Sequence, residues 1–343
     1  MAELRSAYPA AHLLGCSTAG EICGTRVTDD SLVATAVRFE RTSLQTAKVD
    51  LREHTDSFAA GAALAAALPV AEPGKPGERL VHVLVFSDGL HINGSDLVRG
   101  LVSRLPADVA VTGGLAGDGE RFGETLVLSN ETASEHTVAA LGLYGPRIRI
   151  GYGSLGGWDP FGPERLITRA TGNVLYELDG QSALALYRRY LGDHAEGLPA
   201  SGLLYPLSVR ANGSEPAVVR TILAVDEAAQ SLIFAGSVPE GSYARLMKAN
   251  FDRLIDGAVG AATTSENALC GRRAELAVLI SCVGRKLVLG QRIEEEVEGV
   301  REVVGSQATL AGFYSYGEIS PFTPTARCEL HNQTMTITVF SEA

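Results

Sequence analysis

Two phrases of this 343-residue chain place the same residue types at the same spacing. LLGCSTAGEI (Leu13 to Ile22) and LAGFYSYGEISP (Leu310 to Pro321) each carry two glycines five apart with a glutamate directly after the second: Gly15, Gly20 and Glu21, then Gly312, Gly317 and Glu318. The first phrase approaches a nucleophile elbow, G-x-S-x-G, with Ala19 in place of the final glycine. Cys16 or Ser17 could therefore act as a nucleophile if a histidine lay across the fold, or could be small residues packed beneath a turn. The same phrase imitates a phosphate-binding loop up to the position of its lysine, where Glu21 would repel a phosphate.

In the C-terminal half, Cys282 and Arg285 follow one apolar strand (SCVGRK) and Glu318 follows another. In β-α-β units the crevice beyond the strand carboxyl ends is where ligands bind. Arg285 offers a fork for a carboxylate and Glu318 an acceptor for an ammonium, a pair suited to a small zwitterion such as an amino acid. The alternative is a structural Arg–Glu ion pair joining two loops. His331-Asn332-Gln333 interrupts the apolar alternation of the last strand, which makes His331 the first choice for a functional histidine and Asn332 a candidate ligand contact. Histidines 12, 54, 82, 91, 136 and 194 show no partner spacing that recommends a metal. Gly151 to Gly156 fits G-x-G-x-x-G, but Gly157-Trp158-Asp159-Pro160 follows where a helix must start, so dinucleotide binding is rejected.

These residues need elements to position them. Leu80 to Phe86 is an apolar, β-branched run of strand length; Leu97, Val98, Leu101, Val102 and Leu105 then trace a helix face, with Asn93 or Ser95 as cap. Val109 to Thr112 resumes a strand that ends in the turn Gly113 to Asp118. The order recurs as strand Leu276 to Ser281, the helical stripe Ile293, Val297, Val300 and Val304, and strand Ala308 to Gly312. The repeated phrase is thus the end of a repeated β-α-β unit. Ser87 to Gly113 spans 26 residues (113 − 87) and Ser281 to Gly312 spans 31 (312 − 281), so the first unit is expected to lack its opening strand before Gly15. After each turn come paired extended segments: Leu32 to Phe39 with Leu44 to Leu51, Thr125 to Ser129 with Thr137 to Tyr144, and Ala326 to Phe340. Gly151 to Gly180 reads as a turn-rich crossing between domains, and Gln181 to Leu191 as a helix. The expected class is α/β: repeated β-α-β units with added antiparallel strands, mixed sheets flanked by helices, in two domains, 1–180 and 181–343.

A net charge of −11 and a pI near 5.2 disfavour nucleic acid and anionic lipid. The apolar stretch FAAGAALAAALPV is too short to span a bilayer, and the first fifteen residues lack a signal pattern, so a cytoplasmic protein is expected. Five cysteines without a C-x-x-C pair indicate neither a disulfide framework nor a zinc motif.

LLGCSTAGEI, DDSLVATAVRF, GGLAGD, GWDPFGPERLITRATGNVLYELDG, SCVGRK, AGFYSYGEI and HNQTMTITV, in that order over nearly the whole chain, resemble the FIST proteins, with FIST N and FIST C parts. The early start departs from that family, whose N-terminal part usually opens with a strand and helix ahead of the GCST phrase. The resemblance implies an intracellular sensory domain that binds small ligands such as amino acids. It also implies a separate signalling partner such as a histidine kinase or cyclic-di-GMP enzyme. The leading expectation is a non-enzymatic, cofactor-free sensor whose pocket is lined by the glycine turns, Arg285 and Glu318. A second is a nitric-oxide sensor with non-covalent haem on His331, since some stand-alone members are haem proteins. A third is an enzyme with a Cys16 or Cys282 thiolate and His331 as base.

Overall fold

The computed structural model describes residues 2–72, 74–75, 77–210, 217–322 and 327–343; Ala326, the expected start of the last extended segment, lies outside them. After a short helix α1 (Ala2–Ala7), the first part of the chain runs β1 (Leu14–Cys16), β2 (Glu21–Cys23), β3 (Arg26–Thr28), β4 (Ser43–Asp50), α2 (Ser57–Ala66), β5 (Leu80–Ser87), α3 (Gly94–Val102), β6 (Ala110–Leu115), β7 (Val127–Ser129), β8 (Thr132–Ser134), β9 (Thr137–Tyr144) and β10 (Ile148–Leu155). An inserted all-β region follows: β11 (Trp158–Thr171), β12 (Val174–Leu178), β13 (Gln181–Ser182), helix α4 (Ala183–Leu191), β14 (Leu207–Arg210), β15 (Val218–Arg220), β16 (Ile222–Asp226), β17 (Ser231–Phe234) and β18 (Tyr243–Ala249). The chain then runs α5 (Phe251–Asn267), β19 (Leu276–Cys282), α6 (Val283–Leu289), α7 (Ile293–Val304), β20 (Thr309–Ser315), β21 (Gly317–Pro321), β22 (Cys328–His331) and β23 (Met335–Glu342). This is the expected class, mixed sheets flanked by helices.

Two six-stranded sheets repeat one plan. One is ordered β4-β9-β5-β6-β21-β22 and the other β10-β23-β19-β20-β2-β3. In each, an apolar opening strand (β5, β19) runs parallel to the strand that ends in the glycine turn (β6, β20), and antiparallel to a strand from after the turn (β9, β23). Val85 stands opposite Gly113 and Leu279 opposite Gly312. A Cβ on Gly113 would lie 1.8 Å from the Val85 carbonyl oxygen, and one on Gly312 would lie 1.8 Å from that of Leu279, so backbone approach dictates glycine at both.

The hairpins after the three turns change places in a cycle. β2–β3, from the first turn, joins the sheet of β20; β21–β22, from the third, joins β6; and β7–β8, from the second, joins β1 in a three-stranded sheet. Backbone bonds lace the turns together: Gly117 N–H to the Ser17 carbonyl at 3.0 Å, Ala19 N–H to that of Tyr314 at 2.8 Å, and Tyr314 N–H to that of Gly20 at 2.8 Å. Among the described residues no strand lies parallel to β1, and the nearest atoms to a Cβ on Gly15 belong to Leu128, at 3.6 Å.

Three sequence expectations are corrected here. Leu32 to Phe39 forms no strand; among the described residues no strand lies beside it as β5 and β19 lie beside β9 and β23, and Leu32 is 83% exposed. The segments beginning at Leu44 and Thr125 are strands, but β4 pairs with β9, and β7 pairs with β1 and β8. The crossing expected over Gly151 to Gly180 is strand: Gly151 to Gly156 lies within or beside β10, and β11–β12 form a long hairpin in the eight-stranded inserted sheet. Glycines misled the reading there, because Gly151 and Gly153 are needed where β10 passes under α5.

Helices close the sheets. Asn93 caps α3 by accepting from Ser95 N–H at 3.1 Å and Asp96 N–H at 3.3 Å, and Leu97, Val98 and Leu101 are buried beneath it. Such a cap contributes about 1 kcal/mol. α5 and α7 cover the second sheet, and the insert has its own core around Leu175, Leu184, Ile222 and Phe234.

Candidate functional site

β19 and β20 end side by side, with Ser281 opposite Tyr314 and Cys282 opposite Ser315, and two separate buried carboxylate networks sit at their carboxyl ends. Arg285, on α6, is fully buried, and its Nη2 donates to Glu296 Oε2 at 2.7 Å and to the Leu254 carbonyl at 2.7 Å. Glu296 Oε1 accepts from Tyr314 Oη at 2.8 Å and Ser281 Oγ at 3.2 Å. The structural ion pair of Arg285 therefore exists, but its partner is Glu296 on α7 rather than Glu318. The guanidinium is engaged inside the C-terminal unit and offers no free fork to a ligand.

Glu318, on β21, is fully buried and has no cation in hydrogen-bond contact among the described residues. Ser315 Oγ donates to its Oε1 at 2.8 Å, while Thr334 N–H and Oγ1 donate to its Oε2 at 3.1 and 2.9 Å. Burial outweighs these donors and pushes its pKa up to about 8, so at neutral pH the carboxyl holds its proton. Glu21, the residue at the corresponding place on β2, has the same arrangement near the surface. Thr18 Oγ1 donates to its Oε1, and Ser31 N–H and Oγ donate to its Oε2 at 3.3 and 2.6 Å.

The remaining sequence candidates are distributed as follows. Ser17 Oγ accepts from Leu126 N–H at 2.9 Å, fastening the first turn to the second. Cys16 is partly buried and Cys282 fully buried; burial pushes both thiols up, away from the reactive thiolate. Among the described residues neither thiol has a histidine hydrogen-bonded to it. His331 is 2% exposed, its Nε2 donates to the Ser320 carbonyl at 2.7 Å, and Phe322 stands edge-on against its ring. Burial pulls it down to about 4, so it is a neutral structural imidazole. With that nitrogen protonated and bonded, and the ring packed against Phe322, these residues do not fit an axial haem ligand.

Asn332 and Gln333 face the insert. Asn332 Oδ1 accepts from Thr221 N–H at 3.3 Å and its Nδ2 donates to the Tyr316 carbonyl at 3.1 Å. Gln333 Nε2 donates to the Leu203 carbonyl at 2.9 Å and Thr221 Oγ1 at 3.1 Å, leaving its buried Oε1 unpartnered. At the same junction lies Arg220, a residue the sequence reading passed over. It is 6% exposed; its Nε donates to the Ser237 carbonyl at 3.0 Å, its Nη1 to the Leu330 carbonyl at 3.0 Å, and its Nη2 to Ser95 Oγ at 3.3 Å. Burial pulls its pKa down to about 10. Among the described residues no carboxylate lies within ion-pair distance of it. A lone arginine inside AVVRTILAV was the signal available in the sequence.

With the turns, hairpins and strand ends located, comparison with known proteins gives the family. Residues 1–181 match the FIST N domain, and residues 183–321 match the FIST C domain. The chain belongs to the FIST family. FIST domains are sensory domains of signal-transduction proteins. No curated protein matches this FIST chain. Among solved structures it is similar to a cyanuric acid hydrolase from A. caulinodans at 11% identity, over 88% of this chain and 99% of that one, with a TM-score of 0.21, too low to support any argument. No helix among the described residues is long and apolar enough to cross a membrane.

Proposed function

We propose that this FIST chain is a small-ligand sensor that takes the carboxylate of a zwitterion such as an amino acid at Arg220, and passes the signal to a separate partner of the histidine-kinase or cyclic-di-GMP class. The observation that supports this reading is the guanidinium itself. It is almost fully buried where the insert meets the repeated core, and its partners are the neutral oxygens of Ser237, Leu330 and Ser95. A buried cation with no carboxylate in contact among the described residues, Glu329 acting on it only from a distance, carries a penalty of several kcal/mol, which an incoming carboxylate offsets. Ser237 belongs to the insert, whereas Ser95 and Leu330 belong to the core, so a ligand that replaces the long 3.3 Å contact to Ser95 favours one relative position of the two. The raised thiols of Cys16 and Cys282 and the engaged His331 are consistent with binding rather than catalysis.

The test is a thermal-shift screen of amino acids and small carboxylates against the protein and Arg220→Met. A ligand at 100 times its Kd adds about 2.7 kcal/mol to the folded state. A rise in Tm that disappears in Arg220→Met is expected. No rise with any ligand, or a rise kept in full by Arg220→Met, would overturn the reading.

A further inference from the structure

Just beyond the carboxyl end of β5, and sharing no residue with the Arg220 contacts, the fold gathers an aspartate and two histidines that sequence spacing did not connect. Asp88 directly follows β5, His91 lies three residues on, and His136 directly precedes β9. β5 and β9 pair antiparallel with Ser87 opposite Val138, and this register carries His136 back to Asp88 across 48 residues (136 − 88) of intervening chain. Asp88 N–H donates to the Thr137 carbonyl at 2.8 Å, and His136 N–H donates to Asp88 Oδ2 at 2.7 Å, so the two chain ends are locked together.

From these residues we infer a divalent transition-metal site, Zn²⁺ by its donor set, formed by Asp88, His91 and His136 with water completing the coordination. One ligand atom from each residue lies within 4.8 Å of the other two. His91 Nδ1 is 3.2 Å from Asp88 Oδ2, and the two imidazole rings are 4.0 Å apart at 47°. Metal–ligand bonds of about 2.0–2.2 Å on a tetrahedral ion separate neighbouring ligands by roughly 3.3–3.5 Å, close to the Asp88–His91 separation. The His91 side chain, which is 39% exposed, has room to rotate toward His136.

The outer hydrogen bonds are those of a held ligand. Asp88 is fully buried, and its Oδ1 is fixed by Leu90 N–H at 2.7 Å, His91 N–H at 2.9 Å and Thr125 Oγ1 at 3.2 Å, which turns Oδ2 toward the histidines. His136 is held at φ 54°, a left-handed conformation disfavoured for histidine, and its carbonyl accepts from Leu51 N–H at 2.7 Å. Two imidazoles and one carboxylate, with the exposed side open to water, suit Zn²⁺ over the hard oxygen-seeking cations.

Titration of metal-free protein with Zn²⁺ by calorimetry, and with Co²⁺ by visible absorption, tests the assignment. One equivalent is expected to bind, with affinity at least tenfold lower in both His91→Ala and His136→Asn; asparagine keeps the left-handed backbone at 136 tolerable. Circular dichroism of each variant checks that the fold survives. Absence of stoichiometric binding, or full affinity retained in either folded variant, overturns the site; retained affinity would direct attention to Cys16, Cys23 and Cys270.

Discussion

Glu21 and Glu318 occupy the same place in two copies of one turn and accept hydrogen bonds in the same pattern, yet their surroundings differ. In both, the hydroxyl three residues earlier donates to one oxygen, and a hydroxyl residue in the segment after the hairpin donates its N–H and Oγ to the other. Glu21 remains half-buried; Glu318 is sealed beneath β22 and the Thr334 turn. The difference follows from what surrounds each unit. The third turn lies between a complete sheet and the insert, whereas the first lies beside a three-stranded sheet with no strand parallel to β1 among the described residues. The same local chemistry is thus placed in two dielectrics, and the comparison separates what the hydrogen bonds contribute from what burial does.

The largest effect is expected where the two turns differ most in backbone contact. In Gly312→Ala the new methyl would lie 1.8 Å from the Leu279 carbonyl oxygen, an overlap that only separation of β19 from β20 relieves. A loss of roughly 4 kcal/mol or more is expected, read as a fall in the urea midpoint. Gly15→Ala meets only Leu128 at 3.6 Å, so its midpoint should stay within about 0.5 kcal/mol of the parent. Equal losses in the two variants would mean that β1 has a close strand neighbour in solution.

Next comes the proton on Glu318. Its pKa is raised to about 8 in the fold, against about 4.3 for a free glutamate. Between those values the folded state holds a proton that the unfolded chain has released. The contribution is therefore complete below about pH 4.3 and is lost as pH rises through about 8. At 1.36 kcal/mol per unit, the loss across this window is on the order of 5 kcal/mol. Glu318→Gln, which keeps the neutral shape, should remove this slope. Denaturation midpoints from pH 5 to 9 should therefore converge for variant and parent at the acid end and diverge in the variant's favour at the alkaline end. Parallel profiles would show that the carboxyl is ionised throughout.

How much of this was legible in the sequence divides along physical lines. Apolar runs and helical stripes gave β5, α3, β19 and α7, because burial on one or both faces writes itself into local residue order. The exchange of hairpins did not show, since β2 reads the same whether it pairs beside its own unit or beside Phe313 of another. The pairing of Leu32 to Phe39 with Leu44 to Leu51 does not form for the same reason: alternation marks a segment able to pair, and the partner is set by the chain path. The sequence offered Arg285 as a fork for a ligand carboxylate or as an ion pair joining two loops; the fold uses it in a pair, with Glu296, which lies on the helix face that turns inward. Asp88, His91 and His136 were invisible as a group, because a strand register rather than a spacing unites them.

The smallest expected effect completes the comparison. Glu21→Gln removes a charge-assisted acceptor from Thr18 and Ser31, but the half-buried side chain leaves those donors within reach of water, which substitutes for the lost partner. A hydrogen bond of this kind contributes about 0.5–1.5 kcal/mol, and the amide oxygen of glutamine retains part of it. The midpoint should therefore fall by less than about 1 kcal/mol. A loss as large as that expected from Glu318 would mean that Glu21 too is sealed from solvent. The first turn would then be covered by a strand or partner beside β1, and the contrast between the two turns would be one of assembly rather than of sequence.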